Sequence, residues 1–216
     1  MENNKSVNLS LIENLAHEWD SPAAELAEVT IDSLLNPGLL KEIPVVSSLI
    51  AVYKTGIGIR DIIFARKLQS FLYNYHKNKS LAKYEQFKAK IKTIDKEALS
   101  LHLISIIEKI DEESKIKYLN NLFDSFLHEK INYEEFIHLS LVINSLHPLG
   151  YKYLKELAES KNPFRITIEY SSDSMVTILN MAGLIITEAL MGTTGITVNK
   201  LGQDFYYFGM KNHPNS

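Results

Sequence analysis

The chain has 216 residues and a formal charge of −3, with 45% hydrophobic and 23% charged residues, the balance of a folded globular protein, which excludes global disorder and collagen-like repeats. A chain of this length buries roughly 70% of its unfolded surface and can sustain a core without covalent staples. Cysteine is absent, which excludes disulfide scaffolds, Cys-ligated zinc, iron–sulfur clusters and a Cys nucleophile.

The small net charge conceals a blocky distribution. Residues 1–40 carry seven acids and one base, 41–92 eleven bases and three acids, 93–135 ten acids and five bases, and 136–216 six of each. A basic block between acidic ones either attracts an anionic surface or docks on its acidic neighbours within the chain. The N-terminus, Met1-Glu2-Asn3-Asn4-Lys5, is polar and lacks the short apolar run of a secretory signal. A cytoplasmic location is therefore expected.

In chain order, Leu9, Ile12, Leu15, Ala16 and Trp19 recur at helical spacing. Ser21-Pro22 opens a second helix and Asn36-Pro37-Gly38 stops it, so residues 1–40 read as an acidic helical hairpin. The long apolar and basic element covers 43–77. Pro44 opens it, Phe64, Leu68, Phe71, Leu72 and Tyr75 form a stripe at 3–4 spacing, and Arg60, Arg66, Lys67, Asn74 and Lys77 fall mostly off that stripe. Gly56 and Gly58 interrupt its middle, each at about 1 kcal/mol in a helix interior, and predict a kink, a break or a close crossing.

Ser80, Asp95, Asp111 and Asn132 are N-cap candidates for helices over 81–93, 96–110, 112–128 and 133–146. Helix 96–110 is apolar nearly all round and is expected to be the central buried helix. Helix 112–128 has one clean face in Ile116, Leu119, Phe123 and Phe126. His147-Pro148 starts a further helix to about residue 160. The periodicity then changes. Residues 164–170 alternate as a strand. Ser172-Asp173 caps a short helix stopped by Gly183. Strands over 184–190 and 196–199 flank a turn at 191–195, and a helix over 201–208 closes the chain. The expected fold is mainly α: a multi-helix domain over 1–146, its last part a bundle over 81–146, followed by a C-terminal winged-helix-like α/β module over 147–216.

Candidate chemistry is sparse. Gly56-Ile57-Gly58-Ile59-Arg60-Asp61 starts like a dinucleotide loop but puts Asp where the third glycine belongs, and no acid follows about 20 positions on for a ribose. Glu135 and His138 have the spacing of a metal pair, yet a di-iron bundle needs a second pair and two more glutamates. His17-Glu18 lacks the second histidine of a zincin, and no GxSxG elbow occurs. No catalytic residue, cofactor or metal is assigned, and the reading is non-enzymatic. A DNA-reading wing needs bases on its recognition helix. Residues 172–182 hold none, and 164–216 hold three bases against four acids. DNA binding through this module is therefore not expected.

The segment that stands out is 43–77. No stretch reaches the roughly 20 apolar residues of a spanning helix, but 43–59 has one charge, Lys54, and leads into the basic stretch. Val45, Val46, Leu49, Ile50, Val52, Lys54, Gly56, Gly58, Arg60, Arg66 and Lys67 are the candidate contacts to a partner, whether a protein, a second copy of the chain or an anionic membrane to which the chain binds peripherally. The alternatives are a long core helix whose glycines permit close packing, and a nucleic-acid-binding regulator that uses the basic stretch 60–92.

The layout resembles Abi-alpha, a bacterial family associated with abortive infection and without established biochemistry. The resemblance rests on the apolar, glycine-containing helix before a basic one, the acid-capped helices after it, Ala182-Gly183-Leu184-Ile185, and Ile196-Thr197-Val198-Asn199-Lys200-Leu201-Gly202 leading to Phe205. Ile43-Pro44, Lys54-Thr55-Gly56, Ile59-Arg60-Asp61, Phe64 and Lys67 also resemble a set of uncharacterised bacterial proteins. The resemblance implies a role in bacterial antiviral defence or toxicity and carries over no catalytic residue.

Overall fold

A computed structural model describes Leu11, Ile12 and Leu15, then residues 59–77, 81–169 and 174–211. Packing divides the chain into two compact units, Met1–Asn120 and Asn121–Ser216. This boundary lies earlier than the start of the expected C-terminal module at residue 147. Phe123, Phe126 and Phe136 stack in one aromatic cluster, and Asn121 Nδ2 donates to the Gly209 carbonyl at 2.7 Å. That hydrogen bond, with those from Ser125 Oγ to the Phe208 carbonyl and from Tyr151 Oη to the Ile143 carbonyl, ties residues 121–146 to the C-terminal part.

In the first unit, α1 (Ile59–Lys77), α2 (Leu81–Lys90) and α3 (Lys96–Lys109) are followed by a 3-10 turn, Glu113–Lys115, and the start of α4 (Ile116–Leu127). Asp95 caps α3 as expected, its Oδ1 accepting from the Glu97 and Ala98 amides at 3.0 and 3.1 Å. Ser80, the cap expected for α2, lies outside the described residues, as do nearly all of the expected hairpin over 1–40 and the stretch 43–58. Leu11, Ile12 and Leu15 are helical and buried.

The core of this unit gathers Leu68, Phe71 and Leu72 of α1, Phe87 of α2, Leu99, Leu103, Ile106 and Ile107 of α3, and Ile116 and Leu119 of α4. The stripe on α1 thus packs as its spacing predicts. Helix α3 does not sit at the centre with all sides covered: Leu101 is 45% exposed and the buried positions form one face at 3–4 spacing. Asp111 also departs from expectation. The N-cap position of the 3-10 turn falls on Glu112, whose side chain makes no cap bond. Asp111 is drawn instead to Lys115, whose buried ammonium requires a counter-charge.

In the second unit α4 continues to Leu127, followed by α5 (Tyr133–Ser145) and α6 (Pro148–Ala158). Asn132 and Glu135 form a reciprocal capping box at 2.8 and 2.9 Å, and His147 Nδ1 accepts from the Leu149 amide ahead of α6. Then come β1 (Arg165–Glu169), α7 (Ser174–Met181), β2 (Ile185–Leu190), β3 (Thr193–Val198) and α8 (Lys200–Asp204), which runs into a π-helical turn, Phe205–Met210. The three strands form one antiparallel sheet in the order β1–β3–β2. Helix, strand, helix and hairpin follow one another as the sequence predicts. The turn is tighter than expected: Met191 and Gly192 suffice, because Gly192 takes φ +73° and β3 starts at Thr193.

Ile196, Val198, Ile185 and Phe164 are buried on the sheet's inner face, while Arg165, Thr167 and Glu188 lie on the outer one and are exposed. Gly202 is fixed by crowding, since a Cβ there would stand 2.5 Å from Val198 Cγ1 and 2.7 Å from the Leu184 carbonyl oxygen. The π turn leaves main-chain carbonyls to other donors, and Asn121 and Ser125 supply them at Gly209 and Phe208. Among the described residues no helix is long and apolar enough to cross a membrane.

Candidate functional site

The basic helix α1 carries the described part of the segment singled out by sequence. Val45, Val46, Leu49, Ile50, Val52, Lys54, Gly56 and Gly58 lie outside the described residues. Arg60 is exposed. Arg66 pairs with Glu113 at 3.1 Å, both side chains being more than a third exposed.

Lys67 behaves differently from the expectation that it falls off the apolar stripe. It is 5% exposed, in sequence beside the fully buried Leu68, and its Nζ donates to the main-chain carbonyls of Glu108 and Ile110, each at 2.7 Å. The cause is the end of α3. The last carbonyls of a helix lack intrahelical partners and carry the negative end of its dipole. A lysine with a four-carbon stem can lie along apolar surface and deliver its ammonium there. Burial pushes the Lys67 ammonium below the usual lysine range, against the nearby charges of Glu108 and Asp111, which pull the other way.

A second buried lysine completes the junction. Lys115 is 3% exposed and reaches both carboxylate oxygens of Asp111, at 2.8 and 3.1 Å. Burial alone would raise the Asp111 carboxyl, but the hydrogen bond and charge of Lys115 outweigh it and hold the group below the ordinary carboxylate range. Two cations of α1 and one of the turn thus meet the carbonyl end of α3 and the acidic run Asp111-Glu112-Glu113. Two cations of the basic block, Arg66 and Lys67, seat on its acidic neighbour within the first unit. The spacing of Asp111 and Lys115 was legible as an i,i+4 pair. The burial of Lys115, and Lys67 as a cap for α3, were not signalled.

The other sequence candidates resolve into structure. Glu135 is spent on the capping box and is exposed, as is His138. Among the described residues no group of three His, Asp or Glu side chains converges as a metal site. On the second unit Met181 and Met191 project into solvent, Met191 completely. Apart from Arg165 and Glu188, the residues of its sheet whose exposure is described are uncharged. No family model, curated protein sequence or solved structure matches the chain.

Proposed function

We propose that this chain is a non-enzymatic bacterial protein of defence or toxicity. It acts by contact with protein partners and with anionic membrane surfaces through the 43–77 segment, of which α1 is the described part. The observation that carries this reading is the seat of Lys67. A cation of the basic block is buried on the carbonyl end of α3, a closed arrangement in which α1 keeps Leu68, Phe71 and Leu72 covered. Release of α1 would present an apolar stripe flanked by Arg60 and Arg66, the amphipathic pattern that binds anionic lipid. The nucleic-acid reading has less support, because Lys67 is buried and Arg66 is paired.

The test is flotation of the full chain with phosphatidylglycerol vesicles and with phosphatidylcholine vesicles. The wild type is expected to float weakly with the anionic vesicles, and Lys67→Gln, which loses the cation that seats α1, several-fold more. If neither protein floats with anionic vesicles at low salt, the membrane contact is wrong.

A further inference from the structure

The sheet of the second unit ends on one side at β1, which among the described residues pairs only with β3. Arg165 and Thr167 are exposed and Ile166 is 36% exposed, so this edge is open to solvent. An open edge offers unpaired main-chain groups and is a template for another strand. Which groups face outward follows from the ladder. The Val198 amide donates to the Phe164 carbonyl at 2.8 Å, so that pair is hydrogen-bonded. In an antiparallel ladder such pairs alternate. With Ile166 opposite Ile196 and Ile168 opposite Thr194, those two residues turn their main-chain groups toward β3. Thr167 and Glu169 turn theirs to the open edge, together with the Arg165 carbonyl. The Arg165 amide is taken locally by the Asn162 carbonyl at 3.1 Å.

We infer that β1 is the interface of a two-fold homodimer, pairing antiparallel with β1 of a second copy about an axis through Thr167. The residues are complementary to themselves under that operation. Arg165 falls opposite Glu169 of the second copy, Ile166 opposite its Ile168, and Thr167 opposite its Thr167. Opposite charges thus fall at partner positions of the register on each side of the axis, with an isoleucine pair between each of them and the axis, the kinds of cross-strand neighbour that stabilise a sheet. The outward groups also match. Thr167 exchanges both of its hydrogen bonds with its counterpart, and each Glu169 amide reaches the Arg165 carbonyl across the axis. The result is a continuous six-stranded sheet.

The opposite edge does not have this property. There the residues opposite β3 in hydrogen-bonded pairs are Ile186, Glu188 and Leu190, so Ile185, Thr187 and Ala189 face outward. Antiparallel self-pairing about Thr187 sets Glu188 against Ile186 and offers no cation to meet the acid. Helix α7 also packs beside β2.

The experiment measures the mass of the full chain by light scattering and sedimentation over a range of concentrations. The wild type is expected to dimerise. Arg165→Glu alone and Glu169→Arg alone each place like charges across the axis and are expected to weaken the dimer about tenfold, and the double variant, with the charges exchanged, is expected to restore it. Thr167→Pro removes an amide that faces only the open edge, where proline is tolerated, and is expected to give a monomer whose melting temperature matches that of the wild type diluted to its own monomeric range. Should that variant fail to fold, the charge exchange still decides. Because the chain has no cysteine, Thr167→Cys provides a single thiol. Across the axis the Cα atoms would stand about 5.5 Å apart, inside the roughly 4.4–6.8 Å that a disulfide spans, so mild oxidation should cross-link it. Thr187→Cys on the other edge should dimerise like the wild type but form no cross-link. A chain that is monomeric into the millimolar range overturns the proposal. So does a dimer indifferent to the charge reversals, or one cross-linked through Thr187→Cys and not through Thr167→Cys.

Discussion

Lys67 is held by geometry that costs and gains at once. Removing its ammonium leaves the Ile110 carbonyl buried without that donor, at about 1–3 kcal/mol, while sparing the desolvation of a charge. Lys67→Met is therefore expected to destabilise the first unit by about 1 kcal/mol net in urea unfolding near neutral pH. The pH dependence has a definite sign. Burial lowers the folded-state pKa of Lys67 below its ordinary value. Between the depressed value and about 10.4 the unfolded chain binds more protons than the folded one at this site, so stability rises with pH across that window. Subtracting the Lys67→Met profile from the wild-type profile should isolate that rise; a flat difference would mean that Lys67 is charged and solvated in the folded protein. Asp111 has the opposite behaviour. Its carboxyl is held below the ordinary range by Lys115, so its contribution is present above the ordinary carboxylate value and is lost as pH falls through the depressed one. Asp111 is more than half exposed, so Asp111→Asn should cost only about 1–2 kcal/mol despite the burial of Lys115.

At the scale of elements, local chemistry and tertiary packing part company. The caps Asp95, Asn132 and His147 were legible because a cap is decided within three residues of itself. The switch from helix to strand after residue 160 was legible because the hydrophobic period changes there. Other features depend on partners far along the chain. Lys67 reaches carbonyls 41 and 43 residues away, and nothing near it in sequence announces them. Leu101 is apolar yet exposed, and composition alone placed it in a core that its helix presents only on one side. Gly202 belongs to the same class, since its constraint comes from Val198 and Leu184. Asn132→Ala should lower stability by about 1 kcal/mol, the usual value of an N-cap, in the unfolding of the second unit. Gly202→Ala must displace the Leu184 main chain or Val198 and should cost about 1–3 kcal/mol. If the two changes proved equal to a surface substitution, neither the capping box nor the close approach would contribute to the fold.

At the scale of the whole molecule the charge blocks decide how contact with an anionic surface depends on conditions. The net charge of −3 predicts repulsion from such a surface, whereas the excess of eight positive charges over residues 41–92 predicts local attraction; which wins depends on range. At about 0.15 M salt the screening length is near 8 Å, so a surface meeting the basic block does not sense acidic residues much farther away. The exposed pair Arg66–Glu113 contributes at most about 1 kcal/mol and weakens with salt, while the buried Lys67 contacts are screened far less. Salt therefore leaves the seat of α1 largely intact and removes the attraction that follows its release. Vesicle association by Lys67→Gln is expected to fall steeply between low salt and about 0.5 M, and to be absent with phosphatidylcholine at both, because counter-ion screening acts on the basic block and not on the apolar stripe. Association that persisted at high salt and on both lipids would locate the binding in the apolar residues alone and would deny the basic block its part in the contact.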